Sequence, residues 1–238
     1  MVIRARAEFE RDLQLLRQDV LNLGSMVEKA VERAVEALKR YDVALAQNVI
    51  DHDREIDERS YALEERALLL IATQQPMATD LRIIAATLFI ISELERIGDY
   101  AEGLAKIAIR LSAWPPLKPL IDIPRMAEIS IDMLRQALDA FIEMDLERCR
   151  AIWRRDDEVD GLYDQVYREL LTYMMSDPRT IERATLLLWA AHNLERIADR
   201  VTNICERVAF VITGDPRALV SPAEPDYPGE RGAEHDVE

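Results

Sequence analysis

Apolar residues recur three and four positions apart along most of this chain. The first such run is Leu13, Leu16, Val20, Leu23, Val27, Ala30 and Ala34. This spacing places one apolar stripe on a long helix and resembles a coiled-coil seam. The Tyr41-Asp42 pair that follows is typical of a tight turn. The pattern therefore predicts a long first helix that ends at this turn.

The same spacing predicts five more helices. A second run spans residues 45–70, and a third begins near the Gln-Gln-Pro sequence at 74–76. A fourth helix starts near Pro124, a fifth covers about 152–173, and Asp177-Pro178 opens a sixth that Gly214 closes. Aspartate caps, first-turn prolines and terminal glycines are the usual limits of helices. Six helices with short connections predict an all-α protein made of two tandem three-helix bundles.

Proline marks the division between the two bundles. Residues 112–122 include Pro115, Pro116 and Pro119, so we interpret this segment as a linker between a first bundle at 1–111 and a second at 123–213. Residues 214–238 are acidic, rich in proline and glycine, and without periodicity. We expect them to form a disordered tail that does not belong to the fold.

Composition and charge exclude some classes of function. The net charge is −15, which argues against a nucleic acid as the ligand. The longest apolar run is far shorter than the roughly 20 residues that cross a bilayer. Cys149 and Cys205 have no metal-type spacing and suit reduced thiols. We therefore expect a soluble cytoplasmic protein.

A six-residue motif shows that the chain is a duplication. Residues 94–99 read Leu-Glu-Arg-Ile-Gly-Asp, and residues 194–199 read Leu-Glu-Arg-Ile-Ala-Asp. In the first copy the apolar stripe Leu81, Ile84, Leu88 and Ile91 continues into Glu95. In the second, the stripe Ile181, Thr185, Leu188 and His192 continues into Glu195. Both copies therefore put a carboxylate where an apolar side chain is expected.

Each half also carries an acid pair on its middle helix. Asp53 and Asp57 are four residues apart in the first half, as are Asp156 and Asp160 in the second. Residues with this spacing lie one turn apart on one helix face. A single pair is uninformative in so acidic a chain, but the combination with Glu95, Asp99, Glu195 and Asp199 is not. Buried together, such carboxylates need a counter-charge, because burial and mutual repulsion raise their pKa values.

Two counter-charges fit this pattern. One is arginine, because Arg54, Arg96, Arg155 and Arg196 lie next to the acids in sequence. The other is a metal ion bound by oxygen ligands from facing helices. We favour the metal, because an arginine that follows a motif glutamate points about 100° away around the helix. His192, which has Ser92 as its counterpart, offers a nitrogen ligand in the second half or is a packed core residue.

These features resemble the PhoU family of bacterial phosphate-signalling accessory proteins. The resemblance covers about residues 1–213 and rests on the repeated motif at 94–99 and 194–199 and on the preceding acid pairs. It implies a cytoplasmic, non-catalytic, metal-capable helical protein that represses the phosphate regulon. Its implied partners are the ATPase subunit of the phosphate transporter, a membrane-bound sensor histidine kinase and a second copy of the chain. Contact with the membrane would be peripheral, through those partners.

The resemblance also implies a ligand set for a divalent or trivalent ion, with iron, zinc, manganese or magnesium as candidates and nuclearity open. By position the ligands are Asp53, Asp57, Glu95 and Asp99, then Asp156, Asp160, Glu195 and Asp199. The family commonly has asparagine four residues after the motif aspartate. Asn203 matches this, but the first half has Gly103, so Glu102 is a candidate ligand there.

Two other readings remain open. One is a di-metal carboxylate oxidase or ferritin-like enzyme, which the sequence disfavours because such sites use Glu-x-x-His pairs and this chain has three histidines. The other is a helical scaffold without metal, in which arginines neutralise the acids. Metal content separates the scaffold from the regulator, and turnover with dioxygen separates the enzyme.

Overall fold

The computed structural model describes residues 2–219, with side chains from Arg6 onward. Over this range it is all-α, as predicted. The six helices are α1 Val2–Arg40, α2 Val43–Gln74, α3 Thr79–Leu111, α4 Asp122–Glu143, α5 Leu146–Ser176 and α6 Ile181–Thr213, with a short 3-10 turn at Pro178–Thr180. No helix within the described residues is long and apolar enough to cross a membrane.

The turn between the first two helices of each half has the same construction. Tyr41 has φ 55° and is followed by Asp42, whose carboxylate accepts a hydrogen bond of 2.9 Å from the backbone N–H of Leu45. Met144 also has φ 55°, and Asp145 accepts in the same way from Arg148. A left-handed residue ends one helix and an aspartate caps the next, which keeps both connections short. The duplication therefore extends to the turns.

The third helices of the two halves lie at the centre of the molecule. α3 packs on α1 and α2, α6 packs on α4 and α5, and α3 and α6 pack on each other. Asn203 meets Glu93, and Arg110 lies over the Trp189 ring, so α3 and α6 run antiparallel. The buried apolar residues of the two halves form one continuous core. Both motif copies therefore lie near the middle of the structure.

The proline-rich linker is anchored to the second bundle. Lys118 is buried and forms an ion pair with Glu169 of α5. Arg183 at the start of α6 donates a hydrogen bond of 3.1 Å to the carbonyl of Pro115. α4 then begins at Asp122, within the predicted linker. The linker thus packs along the helices that it connects.

The C-terminal boundary differs from the prediction. α6 ends at Thr213, and Gly214 has φ 76°, as the glycine signal indicated. Leu219, however, is only 8% exposed and belongs to the core. The packed part of the chain therefore extends six residues into the predicted tail, because an apolar side chain after the turn reaches the bundle. The rest of that tail, residues 220–238, lies outside the described residues.

Candidate metal centre

In the first half, three predicted ligands converge. Asp53 and Asp57 on α2 and Asp99 on α3 each offer an oxygen atom, and these atoms lie within 4.8 Å of one another. Close packing of α2 on α3 makes this possible. A Cβ atom at Gly98 would lie 3.2 Å from Ile56 and 3.5 Å from an oxygen of Asp53. The small residue in the motif thus lets the two helices approach closely at the acids.

Burial and like charges oppose ionisation in this first cluster. Burial, followed by the charges of Glu102 and Asp57, raises the pKa of Asp53 to about 6. The pKa of Asp99 is raised by burial and then by Asp57 and Glu102. Burial and the charge of Asp99 likewise raise the pKa of Glu95. All five predicted first-half ligands therefore interact electrostatically, and a cation among them would reverse these shifts.

The neighbouring basic residues leave the three converging aspartates of the first cluster without an ion-pair partner. Arg54 pairs with Glu58 at 2.8 Å, on the outer side of α2. Arg96 is exposed and makes no ion pair within the described part of the chain. Lys106 pairs at 2.5 Å with Glu102, which leaves the three converging aspartates unpaired. The arginine network is therefore not what holds these carboxylates together.

The second half repeats the electrostatics. Burial, and then the charges of Asp160 and Asp199, raise the pKa of Asp156 to about 7. The pKa values of Asp160 and Glu195 are also raised, chiefly by burial. One oxygen of Asp156 and one of Glu195 are fully buried and accept no hydrogen bond. Buried polar atoms are usually satisfied, so these two oxygens need a donor or a cation.

An arginine neutralises one acid of the second cluster. Arg196 pairs with Asp199 at 2.6 Å, one turn along α6. Arg155 instead reaches Asp132 on α4 at 2.5 Å. His192 places Nδ1 3.1 Å from the unsatisfied Oε2 of Glu195, but the contact lacks hydrogen-bond geometry. The two halves therefore neutralise their acids differently.

The acids lie at the edge of the core. The apolar stripes predicted from the sequence were therefore wrong about which residues are buried and how deeply. Leu81 and Ile181 are 41% and 48% exposed, although both were assigned to buried stripes. Asp99 and Asp160 are exposed, and His192 is not a packed core residue because half of its side chain is exposed. The central helices bury a broad surface between two neighbours, so the stripe is wider than, and rotated from, the one predicted. An ion here would remain accessible to solvent.

One deeply buried carboxylate, that of Glu93, was not predicted from the sequence. Glu93 is 4% exposed, lies 3.4 Å from Arg200 and accepts a hydrogen bond of 3.1 Å from Asn203. The available signal was the apolar character of Ile90 and Ile97 on either side of it, which marks a second buried face of α3. The assignment of Asn203 as a metal ligand stays a prediction, and its amide nitrogen here serves Glu93.

The donor sets suit a cation. Carboxylate oxygens on facing helices of a bundle are ligands for magnesium, manganese and iron, and borderline ions such as zinc also accept imidazole. Three unpaired aspartates converge in the first half, whereas among the described residues no three acidic, histidine or cysteine side chains of the second half bring ligand atoms within 4.8 Å of one another. The first cluster is therefore chemically adequate for a metal ion, and the second offers two unsatisfied carboxylate oxygens.

Comparison with known proteins agrees with the architecture. A family model described as "PhoU domain" matches residues 20–108 and 123–208. The chain is 42% identical over 208 residues to the "Phosphate-specific transport system accessory protein PhoU homolog" of Caulobacter vibrioides strain CB15, covering 87% of this chain and 90% of the relative. It is 36% identical over 207 residues to the Escherichia coli K12 accessory protein PhoU, covering 87% and 86%.

Solved structures give the same result. The crystal structure of PhoU from Pseudomonas aeruginosa is 36% identical with a TM-score of 0.83, and the match covers 87% of this chain and all of that one. The phosphate transport system regulatory protein PhoU from Streptococcus pneumoniae is 30% identical with a TM-score of 0.80, covering 87% and 98%. Fold, duplication and sequence agree, and the chain belongs to the PhoU family.

Proposed function

We propose that this protein is a negative regulator of the phosphate-starvation response that also modulates phosphate uptake. The observation that carries the proposal is similarity over 87% of the chain to proteins named as phosphate-specific transport accessory proteins. The similarity covers both repeats, so it includes both acid clusters. Relatives named as accessory or regulatory proteins favour a role without catalysis.

The proposed partners are the ATPase subunit of the phosphate transporter and a sensor histidine kinase. A net charge of −15 supports binding to basic protein surfaces and disfavours binding to nucleic acid. We place the protein in the cytoplasm, near the membrane only through these partners. A homodimer is part of the proposal, because the resemblance to the PhoU family implies a second copy of the chain as a partner.

A deletion strain tests the regulatory role. Without this gene, phosphate-starvation genes should stay expressed in high phosphate, and a plasmid copy of the wild type should restore repression. Pull-down from the complemented strain should recover the ATPase subunit and the kinase. Normal repression in the deletion strain, where no paralogue is present, would contradict the proposal.

Metal binding is the second part of the proposal. The proposed ligands are Asp53, Asp57, Glu95, Asp99 and Glu102 in the first half and Asp156, Asp160, Glu195, Asp199 and Asn203 in the second. Unpaired aspartates in the first half and unsatisfied oxygens in the second support it. An ion would offset the mutual repulsion of the carboxylates and stabilise the packing of each middle helix on its third helix.

Metal content and unfolding together test this second part. The wild type should bind ions of the iron, manganese, zinc or magnesium class, and a chelator should lower its unfolding midpoint. The double substitution Glu195→Gln and Asp199→Asn should abolish binding in the second half and change the apo stability little. The arginine alternative predicts instead that it destabilises the apo protein, because Arg196 loses its ion-pair partner Asp199. A wild type that binds none of these ions would refute the metal.

A further inference from the structure

Large apolar side chains are exposed at equivalent positions of the two halves. Phe89 of α3 and Trp189 of α6 are 44% and 51% exposed, and they share the offset of one hundred residues that relates the two motif copies. Leu81 and Ile181, about two turns earlier on the same helices, form a second exposed pair. Exposed apolar residues that are scattered singly need no explanation, whereas a group that recurs in both halves indicates a contact surface.

Both groups lie on one open face of the molecule. α3 contacts α1, α2 and α6, and α6 contacts α3, α4 and α5, so exposed residues of the two central helices point to the side that no described helix covers. α1 and α4 contact each other on the opposite side, and α3 and α6 run antiparallel. The pseudo-twofold axis that relates the halves is therefore perpendicular to the plane of α3 and α6, and the two groups face the same way.

An arginine from the opposite half covers each aromatic ring. The guanidinium carbon of Arg207 lies 3.9 Å from the ring centroid of Phe89, and that of Arg110 lies 5.9 Å from the ring centroid of Trp189. These arginines are not at equivalent positions in the repeat, so each half reaches the same pairing with a different residue. Arginine and large aromatic side chains are enriched among the residues that dominate binding at protein interfaces.

We name these surfaces the aromatic patches. The first patch consists of Leu81, Phe89 and Arg207, and the second consists of Ile181, Trp189 and Arg110. The two are about 27 Å apart along α6, from Trp189 to Arg207 at about 1.5 Å per residue. Any partner that contacts both patches must match this spacing.

The charges of the open face limit what can occupy it. Arg207 Nε is buried without an acceptor, and no carboxylate of the described residues forms an ion pair with this arginine, in a chain whose net charge is −15. Arg110 has a long contact of 3.7 Å with Glu182. Between the patches, the exposed Asp99 belongs to the first acid cluster. A complementary partner therefore has a carboxylate beside an apolar side chain at each end and basic groups between the ends.

Two like patches suit a partner that is itself twofold symmetric, which is the commonest symmetry of soluble oligomers. We infer that this face binds a dimeric partner through both patches at once, each subunit contributing one amphipathic helix that carries an acidic group. Sensor histidine kinases act as dimers whose subunits pair through helices, and a helix fits the apolar surface between two helices. We therefore assign the face to the sensor kinase. This inference rests on the proposed kinase partnership and adds the surface that mediates it.

Binding to the full-length kinase in lipid nanodiscs tests the inference. The full chain is titrated by biolayer interferometry, with empty nanodiscs of the same lipid as the reference. Phe89→Ser with Arg207→Glu removes the first patch and should weaken binding by about tenfold or more, and Trp189→Ser with Arg110→Glu should do the same at the second. All four substitutions together should abolish measurable binding, because contact at two linked sites multiplies affinity.

A matched control lies on the opposite side of the molecule. Leu15 of α1 and Arg125 of α4 are also exposed, so Leu15→Ser with Arg125→Glu makes the same chemical changes away from the patches. This control should change the affinity by less than about twofold, since it touches neither patch. Circular dichroism checks folding. Arg207→Glu alone leaves the Phe89 ring in place and should still weaken binding by about threefold or more, which keeps the test valid if the paired variant does not fold.

The outcomes separate the surface from the partnership. If the wild type binds the kinase and the patch variants bind equally well, the inference is wrong, and loss at one patch alone refutes the twofold contact. Wild-type binding to empty nanodiscs, variants that change only the oligomeric state in light scattering, or variants that lose only the transporter ATPase subunit assign the face to lipid, a second copy or the ATPase, and also overturn the inference. A wild type that does not bind the kinase refutes the proposed kinase partnership itself.

Discussion

Asp156 is the acid whose removal should change stability most visibly. Its pKa is raised to about 7 by burial and then by Asp160 and Asp199, and one of its oxygens is buried without a hydrogen bond. Asp156→Asn keeps the shape and removes the charge. We expect the metal-free variant to be more stable than the metal-free wild type at pH 8 and to lose most of that advantage at pH 5.

The direction of this pH dependence follows from the number of protons that the folded and unfolded states bind. In the unfolded chain the carboxyl ionises near its ordinary pKa of 3.8, whereas in the folded chain it holds its proton to about pH 7. Between these values the folded state binds more protons than the unfolded state. The free energy of unfolding therefore falls as pH rises from about 4 to about 7, and it levels off above that range.

The magnitude follows from the size of the shift. A change from 3.8 to about 7 corresponds to about 4 kcal/mol at about 1.36 kcal/mol per pKa unit. Asp156 is only half-buried, so solvent screening reduces this value. We expect Asp156→Asn to raise the free energy of unfolding by about 1–2 kcal/mol at pH 8 relative to wild type.

Urea unfolding followed by circular dichroism at pH 5, 6, 7 and 8, with chelator throughout, measures this difference. Asp139→Asn is the control, because Asp139 is exposed on α4 and the substitution removes the same charge at a position away from either acid cluster. Asp53→Asn should show the same trend, complete by about pH 6, where the raised pKa of Asp53 lies. A difference between Asp156→Asn and wild type that does not vary with pH would refute the reasoning.

Two further predictions concern contacts that the sequence did not reveal. Glu93→Gln should lower the free energy of unfolding by about 2–3 kcal/mol, because it leaves the largely buried Arg200 without its carboxylate; urea unfolding checks this against exposed Glu128→Gln. A chain that ends at Thr213 should melt about 4–8 °C lower than one that ends at Val220, because only the second retains the buried Leu219, and equal melting temperatures would contradict this packing.

The apolar periodicity, together with the turn, capping and helix-terminating residues, was enough to predict the six helices. The predicted turn at Tyr41 and Asp42, the opening at Asp177 and the closing glycine at 214 coincide with helix boundaries in the structure. These signals succeed because each one acts locally, through a cap or a left-handed residue. The burial of Leu219 and of Lys118 in the linker depends on distant helices, and no local pattern specifies it.

The sequence predicted which carboxylates belong to the candidate site, but it did not predict how deeply they are buried. The repeated i, i+4 acid pairs identified which carboxylates approach, because spacing on a helix fixes the face that they share. Their burial depends on how α3 and α6 rotate between their neighbours, which a single apolar stripe does not determine. For the same reason Ile181 proved exposed and Glu93 proved buried. Periodicity identifies one buried face well and two buried faces poorly.

The departure of Gly103 from the family pattern has a structural explanation away from the metal. α3 and α6 cross antiparallel, so positions 103 and 203 both face the other half. Asn203 donates to Glu93 across this interface, whereas a Cβ at Gly103 would lie 2.8 Å from the amide nitrogen of Asn193. The residue at each position therefore suits its neighbour on the opposite helix: Asn203 hydrogen-bonds Glu93, and Gly103 leaves room for Asn193. This position serves the packing of the two bundles, and a substitution at Asn203 must be judged by stability as well as by metal content.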